Sequence, residues 1–131
     1  MYFYQGIDLL DIRRIKKVYS RYGKKFINKI FSKGELSTLN KTFAKQRLIE
    51  KIASAFAVKE AASKALGTGF REGVGFGDFE LFYDANKRPF ININSKLDKR
   101  FSKRSTGKIN SFFSISNEKN FVIAIVTIIA S

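Results

Sequence analysis

The chain has 131 residues, is 44% hydrophobic with 14 Phe, and carries 25 Lys+Arg against 11 Asp+Glu, a formal net charge of +14. That length points to one domain, 1–131, with enough apolar side chains for a core, and the charge favours polyanionic partners: nucleic acid, a phosphorylated cofactor, an anionic membrane or an acidic protein. With no Cys and no His, thiol nucleophiles, disulfides, imidazole catalysis and most transition-metal sites are excluded, so any metal must sit on oxygen ligands as magnesium, manganese or calcium.

The start of the chain, Met1 to Asp8, lacks a charged leader followed by a long apolar run, so no signal peptide is expected. The apolar stretch Phe121 to Ala130 falls well short of the ~20 residues of a spanning helix. A soluble, cytoplasmic protein is the expectation. Tyr2 to Leu10 is aromatic and β-branched enough for a strand. Asp11 can cap a helix over Ile12–Tyr22, with Ile12, Ile15, Tyr19 and Tyr22 at helical spacing and Gly23 as its end. Ser32 and Glu35 have the spacing of a capping box for a short helix. A long Ala-rich helix is predicted from about Lys45 to Leu66, stopping at Gly67-Thr68-Gly69. Gly67 to Gly77 reads as a glycine-rich loop. Asp78–Tyr83 and Pro89–Ile93 read as strands around a turn at Asp84–Arg88. Ser95–Arg104 is a basic amphipathic helix candidate. Ile109–Ser116 and Phe121–Ile129 read as strands around a turn at Asn117–Asn120. The last strand is apolar on both faces, which predicts burial on both. One strand, then helices, then several strands make an α+β domain.

Two acids and a lysine stand out. Glu60 and Lys64, four apart on the long helix, form a pair that on a solvated surface contributes only ~0.3–0.5 kcal/mol. Here the helical face of Glu60 holds Ile49, Ala53, Phe56, Ala57, Ser63 and Lys64. A carboxylate on such a face is partly desolvated and needs a cation; Lys64 is one compensator and a metal is another. Asp8 lies between Ile7 and Leu9, and acids are depleted in strands. It either ends its strand or serves another purpose, since Asp11 is the better-placed cap. Arg13 to Lys25 form a basic helix face, which is either solvated or a docking surface for an acidic partner. Lys45 and Arg47 can meet a phosphate, and the glycines after Leu66 let a ligand approach the backbone.

Taken in order, these motifs resemble the holo-acyl-carrier-protein synthases, the small bacterial 4′-phosphopantetheinyl transferases. Gly6-Ile7-Asp8-Leu9 with Arg14 matches the start of that family. Phe56-Ala57-Val58-Lys59-Glu60-Ala61-Ala62-Ser63-Lys64 followed by Gly67-Thr68-Gly69 matches its central motif. Phe76-Gly77-Asp78-Phe79-Glu80, Arg88-Pro89 and Ser114-Ile115-Ser116 extend the likeness over Gly6 to about Ile128. The resemblance implies an α+β fold of mostly antiparallel sheet packed with a long central helix. It also implies transfer of the phosphopantetheine arm of coenzyme A to a serine of apo-acyl carrier protein, with adenosine 3′,5′-bisphosphate as the other product. Magnesium, and a homotrimer with sites between subunits, belong to the same implication. It carries Asp8 and Glu60 over as metal ligands, and Lys64 as the contact to the coenzyme A pyrophosphate. Arg47, Gly67, Gly69, Ser116 and Asn117 become candidates for binding coenzyme A. Arg14, Arg21, Lys24 and Lys25 become candidates for meeting the acidic carrier protein. The serine nucleophile then comes from the partner, which suits a chain without Cys or His. Glu60, by way of a water on the metal, is the candidate acceptor of the serine proton.

The chain departs from the family pattern at Asn117, where His is usual, at Ala55, where Arg is common, and at Lys87, where Gly is usual. The first two remove cation character near coenzyme A, and the third predicts a local backbone change. A carrier-protein or coenzyme A binder with weakened catalysis therefore stands as an alternative. A basic nucleic-acid-binding module is a further one. Against it, the charges are spread along the chain with no RNA- or DNA-binding signature, so neither nucleic acid nor membrane is expected as a partner.

Overall fold

The computed structural model describes residues 1–39, 44–97 and 109–131. The chain opens with strand β1 (Tyr2–Asp11) and passes directly into helix α1 (Ile12–Tyr22). Asp11 makes that switch possible: its carboxylate accepts from the Arg13 backbone N–H at 3.0 Å and from the Arg13 guanidinium. That hydrogen bonding holds the Asp11 carboxyl below its ordinary range. Gly23, at φ +55°, ends α1 and starts α2 (Lys24–Ile30). Helix α3 (Lys33–Thr38) opens on the predicted capping box, Ser32 Oγ accepting from the Glu35 N–H while Glu35 accepts from the Ser32 N–H. Helix α4 (Lys45–Ala65) follows, then a 3-10 turn at Phe76–Asp78 and strands β2 (Phe79–Tyr83), β3 (Pro89–Ile93), β4 (Ile109–Glu118) and β5 (Phe121–Ala130).

The five strands form one antiparallel sheet in the order β1-β5-β4-β3-β2. Helix α4 lies across β1 and β5. The core forms there: Ile52, Ala53, Ala57, Val58, Ala61 and Ala62 of α4 meet Val122, Ala124, Val126 and Ile128 of β5, all fully buried. The alanines let the helix approach closely, and Gly6 of β1 is the nearest point. A Cβ built there would overlap the Ala61 carbonyl oxygen and lie 2.7 Å from the Ala65 nitrogen. Among the described residues no helix is long and apolar enough to cross a membrane.

Several expectations change. α2 was not foreseen, although Phe26, Ile27 and Ile30 have helical spacing; Gly23 reads as the end of helical structure but here is only a bend between two helices. The hairpin turn is tighter than predicted. β4 continues through Asn117 to Glu118, which pairs with Phe121, and Lys119 takes φ +51°. Ser95–Leu97 is helical, and the rest of the Ser95–Arg104 candidate lies outside the described residues. Most consequentially, β5 is not buried on both faces. Its even-numbered residues face α4, whereas Phe121 and Ile125 on the other face are 44% and 40% exposed. Among the described residues, the helices cover one side of the sheet only. Phe3, Ile7, Leu9 and Phe112 share that open side.

Candidate active site

The close approach at Gly6 fixes what happens two residues later. Asp8 points to the same side of β1 as Gly6, toward α4, because strand side chains alternate. There it meets Lys64: the ammonium donates to Asp8 Oδ1 at 3.0 Å and to the Ile7 carbonyl at 3.0 Å. Asp8 is largely shielded and Lys64 half exposed, with side chains 13% and 50% accessible. The ion pair of Lys64 is therefore with Asp8, across strand and helix, and not with Glu60 on its own helix as the spacing predicts.

Glu60 lies one turn before Lys64 and is half-buried. Burial raises its carboxyl above the usual range, the neighbouring Asp8 charge raises it further, and Lys64 and Arg14 pull it back. Two acids thus stand close enough to repel, with two cations alongside. Glu60 opens into a cavity of about 550 Å3 whose other walls include Lys25, Phe26 and Ile30 of α2 and Phe56, Phe70 and Phe76. The three rings pack in a chain at tilted angles, Phe56–Phe76 at 5.2 Å and Phe70–Phe76 at 4.3 Å between centroids. Glu60 thus sits at the rim of a partly aromatic cavity with Asp8, Lys64 and Arg14 around it.

The remaining candidates divide. Gly67 and Gly69 follow α4 with φ of +80° and +59°. Their N–H groups already donate to the Lys64 and Ser63 carbonyls at 2.9 and 3.1 Å. Both needed glycine for the turn, and the turn lies beside Lys64. Asn117 lines a cavity of about 470 Å3 with Lys51, Ser54 and Ala55. It also lines an adjoining one of about 480 Å3 with Arg47 and Gln46. The two departures Asn117 and Ala55 therefore fall in one cavity. Ser116, one residue away, alternates to the open face of the sheet and is exposed. Neither cavity includes Glu60, so the structure brings Asp8, Glu60, Lys64 and Arg14 together and holds Arg47 and Asn117 in a second group. Lys25 borders the Glu60 cavity, while Lys24 sits in a groove with Lys33. Arg21 lies with Arg13, Lys16 and Lys17 and stacks over Tyr22 at 5.4 Å.

One residue escaped the sequence reading. Lys59, within the central motif, is fully buried. Its ammonium donates to Glu35 Oε1 and to the Ile30 carbonyl, each at 2.6 Å. The same helical wheel that singled out Glu60 would have found it, since Ile52, Ala55, Phe56, Ala62 and Ser63 surround its face.

The 4′-phosphopantetheinyl transferase superfamily profile matches residues 5–126. Holo-[acyl-carrier-protein] synthase of Buchnera aphidicola is 43% identical over 122 residues, 92% of each chain. The synthase of Carboxydothermus hydrogenoformans is 39% identical over 121 residues, again 92% of each. The crystal structure of the Neisseria meningitidis synthase matches with a TM-score of 0.80 at 27% identity, covering 96% of this chain and 97% of that one. The Helicobacter pylori synthase, crystallised in complex with coenzyme A, matches with a TM-score of 0.78 at 29% identity over 95% and 99%. On this combined evidence of sequence and fold, the chain belongs to the 4′-phosphopantetheinyl transferase superfamily, among the holo-[acyl-carrier-protein] synthases.

Proposed function

We propose that residues 1–131 form one domain that moves the 4′-phosphopantetheine arm of coenzyme A onto a serine of apo-acyl carrier protein, in the cytoplasm, with magnesium on Asp8 and Glu60. The juxtaposition of Asp8, Glu60 and Lys64 carries the reading. In the reaction the serine oxygen forms a bond to the pantetheine-bearing phosphorus of the pyrophosphate. The bond from that phosphorus to the oxygen bridging the two phosphates breaks, and adenosine 3′,5′-bisphosphate leaves. Glu60, by way of a water on the metal, would receive the serine proton. An ammonium has three donors; Lys64 uses two on Asp8 and Ile7 and has one for a pyrophosphate oxygen, where negative charge builds up.

The donors fit a hard cation. Among the described residues no group of three or more His, Cys, Asp or Glu could close a shell around a metal, and magnesium is typically held by one or two carboxylates together with substrate phosphates. Asp8 and Glu60 supply that number. Bound there, the cation would neutralise and orient the pyrophosphate. Arg47, Asn117 and Ser116, with Gly67 and Gly69, complete the coenzyme A contacts in this reading, and Arg14, Arg21, Lys24 and Lys25 meet the acidic carrier.

The same reading makes the protein a homotrimer with sites between subunits. Two observations support it: the uncovered apolar sheet face, and the separation of the Glu60 cavity from those of Arg47 and Asn117, which a neighbouring protomer can bring together. The test is intact-mass measurement of apo-acyl carrier protein after incubation with the protein, coenzyme A and magnesium, with a chelator control. The expected result is a gain of one phosphopantetheine that chelator abolishes. No gain beside an active control synthase would refute transfer and leave a binder of carrier protein or coenzyme A.

A further inference from the structure

Lys59 is a buried cation beside the candidate acid, and the chemistry above does not use it. Lys59 is 0% and Glu35 7% exposed. Burial pushes the Lys59 ammonium down from its ordinary range, and Glu35 opposes that shift. An apolar pair of the same volume usually serves stability as well or better, so the charges need another reason. Their partners suggest one. Lys59 Nζ holds the carbonyl of Ile30, the last residue of α2. The Glu35 carboxylate takes Lys59 on Oε1 and the Leu81 N–H of β2 on Oε2 at 3.1 Å. It also caps α3 through the Ser32 N–H at 2.8 Å. One ion pair thus fastens α2, α3 and β2 to α4, at the residue next to Glu60. Ile30, Phe26 and Lys25 of that same α2 form the wall facing Glu60.

We propose that Lys59 and Glu35 are positioning residues for the transfer reaction: their buried pair fixes the α2 wall against Glu60, so that a carrier docked on α2 presents its serine within reach of the acid. The inference rests on the function proposed above. Directional charged hydrogen bonds specify a spacing that apolar packing would let slide. A serine misplaced by about an ångström loses up to ~100-fold in rate.

The test compares the whole protein with Glu35→Gln and with the double variant Lys59→Met/Glu35→Gln. Gln keeps the volume and the capping box, and Met fills the space of the lysine stem without charge. The measurements are thermal stability, kcat and KM for carrier protein, and the dissociation constant for coenzyme A. The expected outcome is a folded double variant with kcat/KM for carrier down roughly tenfold or more and coenzyme A affinity unchanged, with Glu35→Gln showing the same split at smaller size. If the double variant does not fold, Glu35→Gln alone decides. A folded variant with unaltered carrier kinetics would overturn the proposal, as would an equal loss of coenzyme A affinity, which marks general loosening. Absence of transfer by the unaltered protein would instead overturn the underlying function.

Discussion

Asp8 and Glu60 are alike in chemistry and unlike in surroundings. A lysine holds Asp8, while Glu60 faces an aromatic cavity. If both carry a cation, Asp8→Asn and Glu60→Gln should each lower magnesium-dependent transfer by about a hundredfold or more. The amides keep the volume, so circular dichroism and melting should stay native. Full turnover by either variant in the mass assay would refute the assignment. A second prediction concerns Lys87, which sits at φ +60°. A side chain there costs about 1 kcal/mol relative to glycine, so Lys87→Gly should raise stability by about that amount in denaturant titration; an unchanged midpoint would show the turn to be unstrained. The sequence marked Asp8 and Glu60, with Lys64, as a group because acids are costly where the pattern puts them, and the family resemblance marked Lys87 because Gly is usual there. It could not show which acid Lys64 would choose. That depends on how closely β1 approaches α4, a tertiary distance.

That approach is an element-scale property, set by Gly6 against Ala61 and Ala65. Gly6→Ala should separate strand from helix or strain both, destabilising the protein by roughly 1–3 kcal/mol. It should also weaken the Asp8–Lys64 contact and so lower transfer even where the protein remains folded. Native stability by thermal melting would mean that the helix shifts without cost. Elements were legible where local signals were strong: the Asp11 cap, the Ser32–Glu35 box, and the long run of α4 ending at Gly67. They were illegible where one residue supports two readings. Gly23 ends α1 but does not end helical structure. Asn117 looks like a turn residue and is the penultimate residue of a strand, because pairing with Val122 outweighs its local preference. Likewise the alternation that sends Ser116 to the open sheet face and Asn117 to the helix side follows from β4 running to Glu118.

At the scale of the molecule the unexpected feature is the bare side of the sheet. A strand apolar on both faces implies two coverings, and the helices supply one. Among the described residues nothing supplies the second; in the homotrimer proposed above, another copy would. Ile125 lies at the middle of this face, paired with Ile7 on one side and Ser114 on the other. In a lone protomer Ile125→Glu would place a carboxylate in solvent at little cost to folding. In an assembly closed over this face it would bury a charge without a partner, a penalty large enough to prevent association. If the proposed homotrimer closes over this face, light scattering on the unaltered protein should give three times the chain mass, and Ile125→Glu should give a folded monomer. Because the Glu60 cavity and the cavities of Arg47 and Asn117 are separate in one protomer, that monomer should also lose transfer, although every proposed metal, coenzyme A and carrier residue is intact. A monomeric unaltered protein with full activity would refute both the assembly and the shared site. A monomeric Ile125→Glu variant with full activity would leave the assembly standing and show that one protomer's own cavities suffice.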